Sequence, residues 1–126
     1  MSREPTPDTQ IPWVGFGTYQ IRDGDAHSCV RRALQVGYRH VDTAEGYRNE
    51  TGVGRALREG MNKGGLSRDD LFVTTKLWPG KPNSRQKPKT YEATLGALEA
   101  SLSRLQLEYV DLYLIHAPLA FDMRLE

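Results

Sequence analysis

The chain alternates short segments rich in β-branched and aromatic residues with longer segments of helical periodicity, and this alternation constrains its fold most. Strands are predicted at residues 11–19, 38–42, 71–76 and 110–115, with a helix after each of the first three. Such alternation is typical of a parallel sheet with right-handed helical crossovers. The sequence therefore predicts an α/β fold, either an open doubly wound sheet or a closed barrel.

The first predicted helix begins with Asp25 as its N-cap and ends at Gly37. Its apolar stripe has helical spacing and consists of Ala26, Cys29, Val30, Ala33 and Leu34. Cys29 is the single cysteine, so the chain forms no internal disulfide, which favours a reducing compartment and a cytoplasmic location. Its place on the stripe favours a buried small hydrophobe over a reactive thiol.

The second predicted helix starts from Asn49 as its N-cap and ends within residues 60–65. Glu50 is favourably placed in its first turn, close to the positive end of the helix dipole. Gly52 and Gly54 lie inside the helix, where each costs about 1 kcal/mol relative to alanine. We therefore expect a neighbouring element to pack closely against them.

The third predicted helix runs from Thr90 to about Leu107. Its buried face is expected to carry four leucines, Leu95, Leu98, Leu102 and Leu105. The strand after it, residues 110–115, is a continuous apolar run expected to be buried on both faces. Residues 78–89, before the helix, hold three prolines and four cations and are expected to form a solvated loop rather than a phosphate-binding patch.

Charge and hydropathy exclude several classes of protein. The 126 residues include 17 basic and 16 acidic side chains, so the net charge of +1 provides no field that draws in nucleic acid or an anionic membrane. No apolar run reaches the roughly 18 residues that span a bilayer. Residues 1–10 are polar, lack the apolar core of a secretory signal and are expected to form a loose arm.

Three predicted strands end on ionisable side chains, Asp42, Lys76 and His116, and Tyr47 follows the first of them. Parallel α/β folds build their active sites at the carboxyl ends of the strands, so we expect the four side chains to converge there. Their spacings of 76 − 42 = 34 and 116 − 76 = 40 residues suit barrel units, which average about 31 residues.

These groups have complementary chemistry. A free tyrosine has a pKa of about 10, and an ammonium group beside it stabilises the phenolate. Lys76 is placed to act in this way on Tyr47, with Asp42 keeping the lysine charged. His116 is placed to donate a hydrogen bond to a substrate oxygen where negative charge develops. The set suits protonation of a carbonyl oxygen, but it contains no hydride donor, so a nicotinamide cofactor is required.

Other interpretations remain open at this point. Each of the four residues, taken singly, also suits a structural role, and Lys76 also suits a Schiff-base enzyme. A metal site is disfavoured because His27 and His40 lack ligand spacing. Residues 15–18 are not the dinucleotide-binding fingerprint, and they suit either a bent strand or a close backbone approach to a flat ligand, with Tyr19 against its ring.

Several stretches resemble the aldo-keto reductase family. Residues 37–44, followed by Tyr47, Asn49-Glu50 and Val53-Gly54, are similar to the family's first signature at every defining position. Residues 71–78 resemble its lysine strand and residues 111–116 its histidine strand. The resemblance covers roughly residues 11–118 and implies an eight-stranded (β/α) TIM barrel, of which residues 11–126 form about the first four units, the N-terminal half.

The resemblance also implies an activity, the NADPH-dependent reduction of aldehydes and ketones. It makes Tyr47 the proton donor, has Lys76 and Asp42 tune it, and lets His116 orient the carbonyl group. It places Gly17, Thr18 and Asp42 near the cofactor, and it lines the substrate pocket with Tyr19, Tyr47, Trp78 and His116.

Two departures from the family qualify this expectation. Residues 6–10 stand where an N-terminal hairpin turn is usual, and the segments that hold the carboxamide and the adenosine phosphate are absent from these 126 residues. We therefore expect a truncated or partial reductase whose 126 residues are inactive alone. A half-barrel exposes two sheet edges that invite self-association. The alternative is a non-catalytic half-barrel or regulatory subunit that binds a partner chain.

Overall fold

The computed structural model describes residues 10–79 and 89–117, and it contains a parallel sheet of four strands in the order β1-β2-β3-β4. The strands are β1 (Gly15–Gly17), β2 (His40–Asp42), β3 (Phe72–Leu77) and β4 (Leu112–Ile115). Three helices connect them, namely α1 (Asp23–Gln35), α2 (Glu50–Lys63) and α3 (Tyr91–Leu105). This confirms the predicted α/β class. The sequential strand order favours a barrel, because a doubly wound sheet reverses its order at a switch point.

The hydrophobic core lies between the helices and one face of the sheet. Val41 and Val73 project from the two central strands and are fully buried. They belong to a cluster whose other buried members are Ala26, Val30, Leu34, Val53, Ala56, Leu57, Leu71 and Leu105. Successive strand residues point to opposite faces, so His40, Asp42, Thr74 and Lys76 lie on the face away from this core.

The first strand differs most from its predicted extent, and the fourth differs from its predicted burial. The first was expected over residues 11–19, but only Gly15–Gly17 pairs with β2. Ile11 and Val14 are more than half exposed and Trp13 is fully exposed, so this part of the apolar run does not enter the core. The strand predicted at residues 110–115 is not buried on both faces, since Ile115 is 70% exposed at the edge of the sheet.

The helices also depart from the predictions in detail. The first helix begins at Asp23 instead of after Asp25, with Arg22 as its N-cap, and Cys29 is only partly buried. Gly37 ends it as expected, at a φ of 107° that favours glycine. The third helix begins at Tyr91, one residue later than predicted, because Thr90 is its N-cap and its hydroxyl accepts from the Ala93 amide.

The leucine face predicted for α3 is only partly correct, since Leu105 is fully buried and Leu98 and Leu102 are partly buried. The buried residues are Ala97, Ser101 and Leu105, whereas Leu95 is 44% exposed. Among the described elements α3 packs mainly against α2 and, more weakly, against β3, so its buried face is narrower than the leucine pattern indicates. The predictions for residues 1–9, 80–88 and 118–126, which include the polar arm and most of the proline-rich loop, lie outside the described residues.

The close packing expected at the glycines of α2 is present. A Cβ atom added at Gly52 would lie 2.9 Å from the Cβ of Ala26, and one added at Gly54 would lie 2.5 Å from the carbonyl oxygen of Leu105. These two positions let α1 and the end of α3 approach the backbone of α2. None of the described helices is long and apolar enough to cross a membrane.

We predict that Gly54→Ala destabilises the chain by about 1–3 kcal/mol, because the added methyl group overlaps rigid backbone. Gly96→Ala is the matched control. A Cβ there meets nothing within 4 Å on an exposed part of α3, so it should stabilise the fold by about 0.5–1 kcal/mol. Urea unfolding measures both free energies, and equal effects of the two variants would contradict this account of the packing.

Candidate active site

Lys76 is the centre of a cluster of polar groups at the carboxyl end of the sheet. Its ammonium nitrogen donates to Asp42 Oδ1 at 2.6 Å, to the Thr43 carbonyl oxygen at 2.9 Å and to Tyr47 Oη at 3.2 Å. The Lys76 side chain is 12% exposed and that of Asp42 is 33% exposed. The structure thus brings together three of the residues singled out from the sequence.

The strand register explains this convergence. Asp42 pairs with Thr74, so Lys76 lies two residues farther along β3 and points to the same face of the sheet. A 3-10 turn, Glu45–Tyr47, follows β2 and carries the phenol back over the strand ends. Arg48 then adopts a left-handed conformation, with a φ of 55°, and leads the chain into α2.

The contacts of Lys76 bear on the Schiff-base alternative. An ammonium group has three N–H donors, and Lys76 has three oxygen acceptors within hydrogen-bond distance, one of them a carboxylate. All three N–H donors are thus directed to oxygen atoms, and an ammonium group has no lone pair to attack a carbonyl. The geometry therefore favours an electrostatic role for Lys76 over a nucleophilic one.

His116 directly follows β4 and lies beside this cluster. Its ring contacts those of Tyr47 and Trp78 edge to face, each with centroids 5.3 Å apart. Burial lowers the pKa of His116 below its usual 6.5, the Lys76 ammonium lowers it further, and Asp42 partly opposes both. At neutral pH the ring is therefore uncharged and carries a single N–H, while its buried Nδ1 has no hydrogen-bond partner within the described structure.

A cavity of about 400 Å³ opens above these groups, lined by Tyr19, Gly46, Tyr47, Trp78 and His116. Four of these residues were predicted from the sequence, and Gly46 was not. A Cβ added at Gly46 would lie 3.0 Å from the Trp78 ring, so a glycine there lets the indole pack over the turn. The cavity therefore has aromatic walls and the Tyr47 phenol at its base.

Glu45 is a second residue that the sequence did not single out. Its carboxylate accepts a hydrogen bond from the Trp78 amide at 3.0 Å and so fixes the start of the loop after β3. Its position two residues before Tyr47 was the only available signal.

Gly17 ends β1 beside Asp42, and Thr18 directly follows the strand. Gly17 pairs with Asp42, and a Cβ added to it would meet nothing within 4 Å, so the backbone is open to a ligand there. Thr18 is fully buried, and both its amide and its hydroxyl donate to the Asp42 carbonyl oxygen, at 3.0 and 3.1 Å. These two hydrogen bonds hold the backbone of Asp42 in place. The predicted contact of Thr18 with a cofactor stays a prediction.

The remaining histidines have structural partners. His27 bonds Glu59 across α1 and α2 at 2.7 Å, and His40 bonds Thr74 at 3.0 Å. Residues 15–17 pair with β2 as a strand, and a Cβ added at Gly15 would lie only 2.7 Å from the His40 ring. A glycine at this position therefore leaves room for the His40 side chain. Over residues 10–79 and 89–117, no three His, Cys, Asp or Glu side chains are grouped to hold a metal ion.

Comparison with known proteins finds similarity to one protein family along nearly all of the chain. The family model described as Aldo/keto reductase family matches residues 13–121. The oxidoreductase YtbE of Bacillus subtilis is 46% identical over 110 residues, which cover 86% of this chain and 37% of that protein. The glycerol 2-dehydrogenase (NADP(+)) of Saccharomyces cerevisiae is 46% identical over 113 residues, covering 90% of this chain and 32% of that protein.

A solved structure supports the same conclusion at the level of the fold. The aldose reductase of Schistosoma japonicum superposes with a TM-score of 0.76 at 42% identity, over 86% of this chain and 34% of that one. The chain therefore spans about a third of the length of the relatives that it matches. With four parallel strands in barrel order and the family model matched over residues 13–121, the chain belongs to the aldo/keto reductase family.

Proposed function

We propose that the complete gene product reduces aldehydes and ketones to alcohols with NADPH, and that Tyr47 supplies the proton. The observation that carries this proposal is the contact of 3.2 Å between the Lys76 ammonium and the Tyr47 phenol, beside a pocket about 400 Å³ in volume. The name of the glycerol 2-dehydrogenase (NADP(+)) supports the reaction class and the cofactor. A glyoxal reductase of Bacillus subtilis, 44% identical over 110 residues, also supports the reaction class by its name.

Proton donation follows from the contacts of Tyr47. When hydride reaches a carbonyl carbon, negative charge develops on the oxygen and a proton must arrive there. As Tyr47 gives up its proton, the phenolate that forms is stabilised by the adjacent Lys76 ammonium. Asp42 holds that ammonium in place at 2.6 Å, so the positive charge is present before the reaction begins.

The residues present fit the nicotinamide end of NADPH, which supplies the hydride. Asp42 has a partly exposed carboxylate that can accept hydrogen bonds from ribose hydroxyl groups. The open space at Gly17 lies next to it in the sheet, and Thr18 braces the Asp42 backbone. We therefore assign Gly17, Thr18 and Asp42 to the support of the ribose and the nicotinamide.

His116 has a distinct role in this proposal. Because its ring is neutral, it donates one hydrogen bond to the substrate oxygen without competing as an acid with Tyr47. Its edge-to-face contacts with Tyr47 and Trp78 fix the ring plane. Tyr19 and Trp78 then provide aromatic walls for the carbon part of the substrate, which favours carbonyl compounds with an apolar group.

For the 126 residues alone we expect no turnover. Tyr19 at the rim is 66% exposed, so the pocket is open to water, whereas electrostatic stabilisation of a developing charge is strongest in a water-excluded site. No contact among the described residues favours the alternative of a non-catalytic subunit, or self-association, over carbonyl reduction.

We predict that Tyr47→Phe lowers kcat for carbonyl reduction by about 100-fold or more, because the proton donor is lost while the shape of the pocket is kept. NADPH affinity, measured by fluorescence titration, should change little. Tyr38→Phe is the matched control, since Tyr38 packs edge to face on Phe16 instead of facing the pocket, and it should keep wild-type turnover. Undiminished kcat in Tyr47→Phe would exclude tyrosine as the donor.

We also predict that His116 titrates with a midpoint below 6.5 in the folded protein, because burial and the Lys76 ammonium disfavour its charged form. Histidine ring NMR signals followed against pH measure the midpoint. In Lys76→Met the midpoint should rise, since the repulsive charge is gone and Asp42 remains.

The same shift has a consequence for stability. Between pH 6.5 and the lower pKa of His116 in the folded protein, the unfolded chain binds the histidine proton more readily than the folded chain does. The free energy of unfolding therefore falls as the pH drops through this window. A folded midpoint at or above 6.5 would contradict the assignment of His116 as a neutral donor.

A further inference from the structure

We propose that the dipeptide Asn49-Glu50 is a positioning unit that fixes the contact between Lys76 and Tyr47. This inference rests on the proposed function, because it assigns the two residues a task in that reaction. Both side chains are buried, Asn49 fully and Glu50 to within 1%. They lie at the start of α2, two and three residues after Tyr47 in the chain.

Asn49 does not do what its position at the helix start predicts. It occupies the N-cap position of α2, but its side chain makes no capping hydrogen bond. The amide nitrogen donates instead to the carbonyl oxygens of Thr18 at 2.8 Å and Ile21 at 2.9 Å, and Oδ1 accepts from the Thr43 hydroxyl at 3.1 Å. The side chain thus binds the segments that follow β1 and β2 to the start of α2.

The bond to Thr43 leads directly to the reactive cluster. The Thr43 carbonyl oxygen is one of the three acceptors of the Lys76 ammonium, at 2.9 Å. Thr18, whose carbonyl is held by Asn49, in turn donates twice to the carbonyl oxygen of Asp42. Asn49 therefore fixes the backbone next to two groups that bind Lys76.

Glu50 acts on the other side of Lys76. One carboxylate oxygen accepts from the Thr75 hydroxyl at 2.6 Å, and Thr75 directly precedes Lys76 in β3. The other oxygen accepts from the Arg104 guanidinium of α3 at 2.7 Å. The Thr75 side chain points to the helix face of the sheet and that of Lys76 to the opposite face. The hydrogen bond between Thr75 and Glu50 therefore fixes β3 on the face opposite the reactive cluster.

The loss of these hydrogen bonds is costly because the buried groups cannot form hydrogen bonds with water instead. A buried donor or acceptor without a partner carries its full desolvation penalty, and a buried carboxylate that loses its ion-pair partner is worse. The segments therefore keep their spacing, and with it the contact between Lys76 and Tyr47. A displacement of about 1 Å in such a site can lower the rate about 100-fold.

The test uses isosteric variants of the complete gene product. Glu50→Gln removes the charge opposite Arg104, and Asn49→Asp replaces the amide that donates to Thr18 and Ile21 with an oxygen. We expect kcat to fall at least about tenfold with KM nearly unchanged, because the displaced groups act on the reaction and not on the pocket walls.

The matched control is Asp111→Asn, the same type of change at the opposite end of the sheet. Asp111 is 10% exposed in its side chain and binds Arg68 at 2.6 Å and the Val73 amide at 2.8 Å. It should lower thermal stability as Glu50→Gln does while leaving kcat within about twofold of wild type. An equal loss of kcat in the control would reduce Glu50 to a structural role and overturn the inference.

A second readout does not depend on activity. The NMR signal of the Tyr47 ring, identified by its loss in Tyr47→Phe, should shift in Glu50→Gln and Asn49→Asp in the same direction as in Lys76→Met. In Asp111→Asn it should stay in place. Thr75→Val, which removes only the hydroxyl that Glu50 accepts from, serves if either isosteric variant fails to fold.

The two readouts separate the two proposals. If wild-type protein reduces no carbonyl compound, the proposed function fails, and the Tyr47 signal still decides whether Asn49-Glu50 sets the contact. If wild type is active but the Tyr47 signal is unmoved in Glu50→Gln, Asn49→Asp and Thr75→Val, the positioning inference is overturned and the proposed function stands.

Discussion

The site depends on the ion pair between Lys76 and Asp42, whose charged atoms lie 2.6 Å apart. A lysine with a side chain only 12% exposed must have its charge compensated, because a partly buried ammonium group without partners is strongly disfavoured. Asp42 meets that requirement from the neighbouring strand. The same ammonium then lies within 3.2 Å of Tyr47 Oη, so the pairing that makes the charge tolerable also makes it available to the phenol.

Much of the surrounding structure maintains this arrangement from a distance. The glycines of α2 allow α1 and α3 to pack closely on it, and the start of α2 then holds three strand ends through Asn49 and Glu50. At the other end of the sheet, Arg68 and Asp111 form a separate ion pair that fixes β3 and β4 before they reach the site. His116 remains neutral beside the cluster because it is partly buried near a positive charge.

The sequence predicted which side chains converge at the strand ends better than it predicted the packing around them. Asp42, Lys76 and His116 could be found because parallel strands bring their carboxyl ends to one edge, a rule that needs no side-chain detail. The leucine face of α3 was only partly correct because periodicity shows which face is apolar but not how much of it a neighbour covers, and Leu95 is 44% exposed. The hydrogen bonds of the Asn49 side chain were missed because local rules favour helix capping, whereas its amide reaches carbonyls 28 and 31 residues away.

The most direct test of the central claim is the fate of an isotope label. The complete gene product would be incubated with an aldehyde and NADPH that carries deuterium at the transferable position of the nicotinamide ring. Mass spectrometry of the alcohol should find one deuterium on the former carbonyl carbon, because hydride goes to carbon and the proton of Tyr47 goes to oxygen. Absence of alcohol, or an alcohol without deuterium on that carbon, would contradict carbonyl reduction by this site.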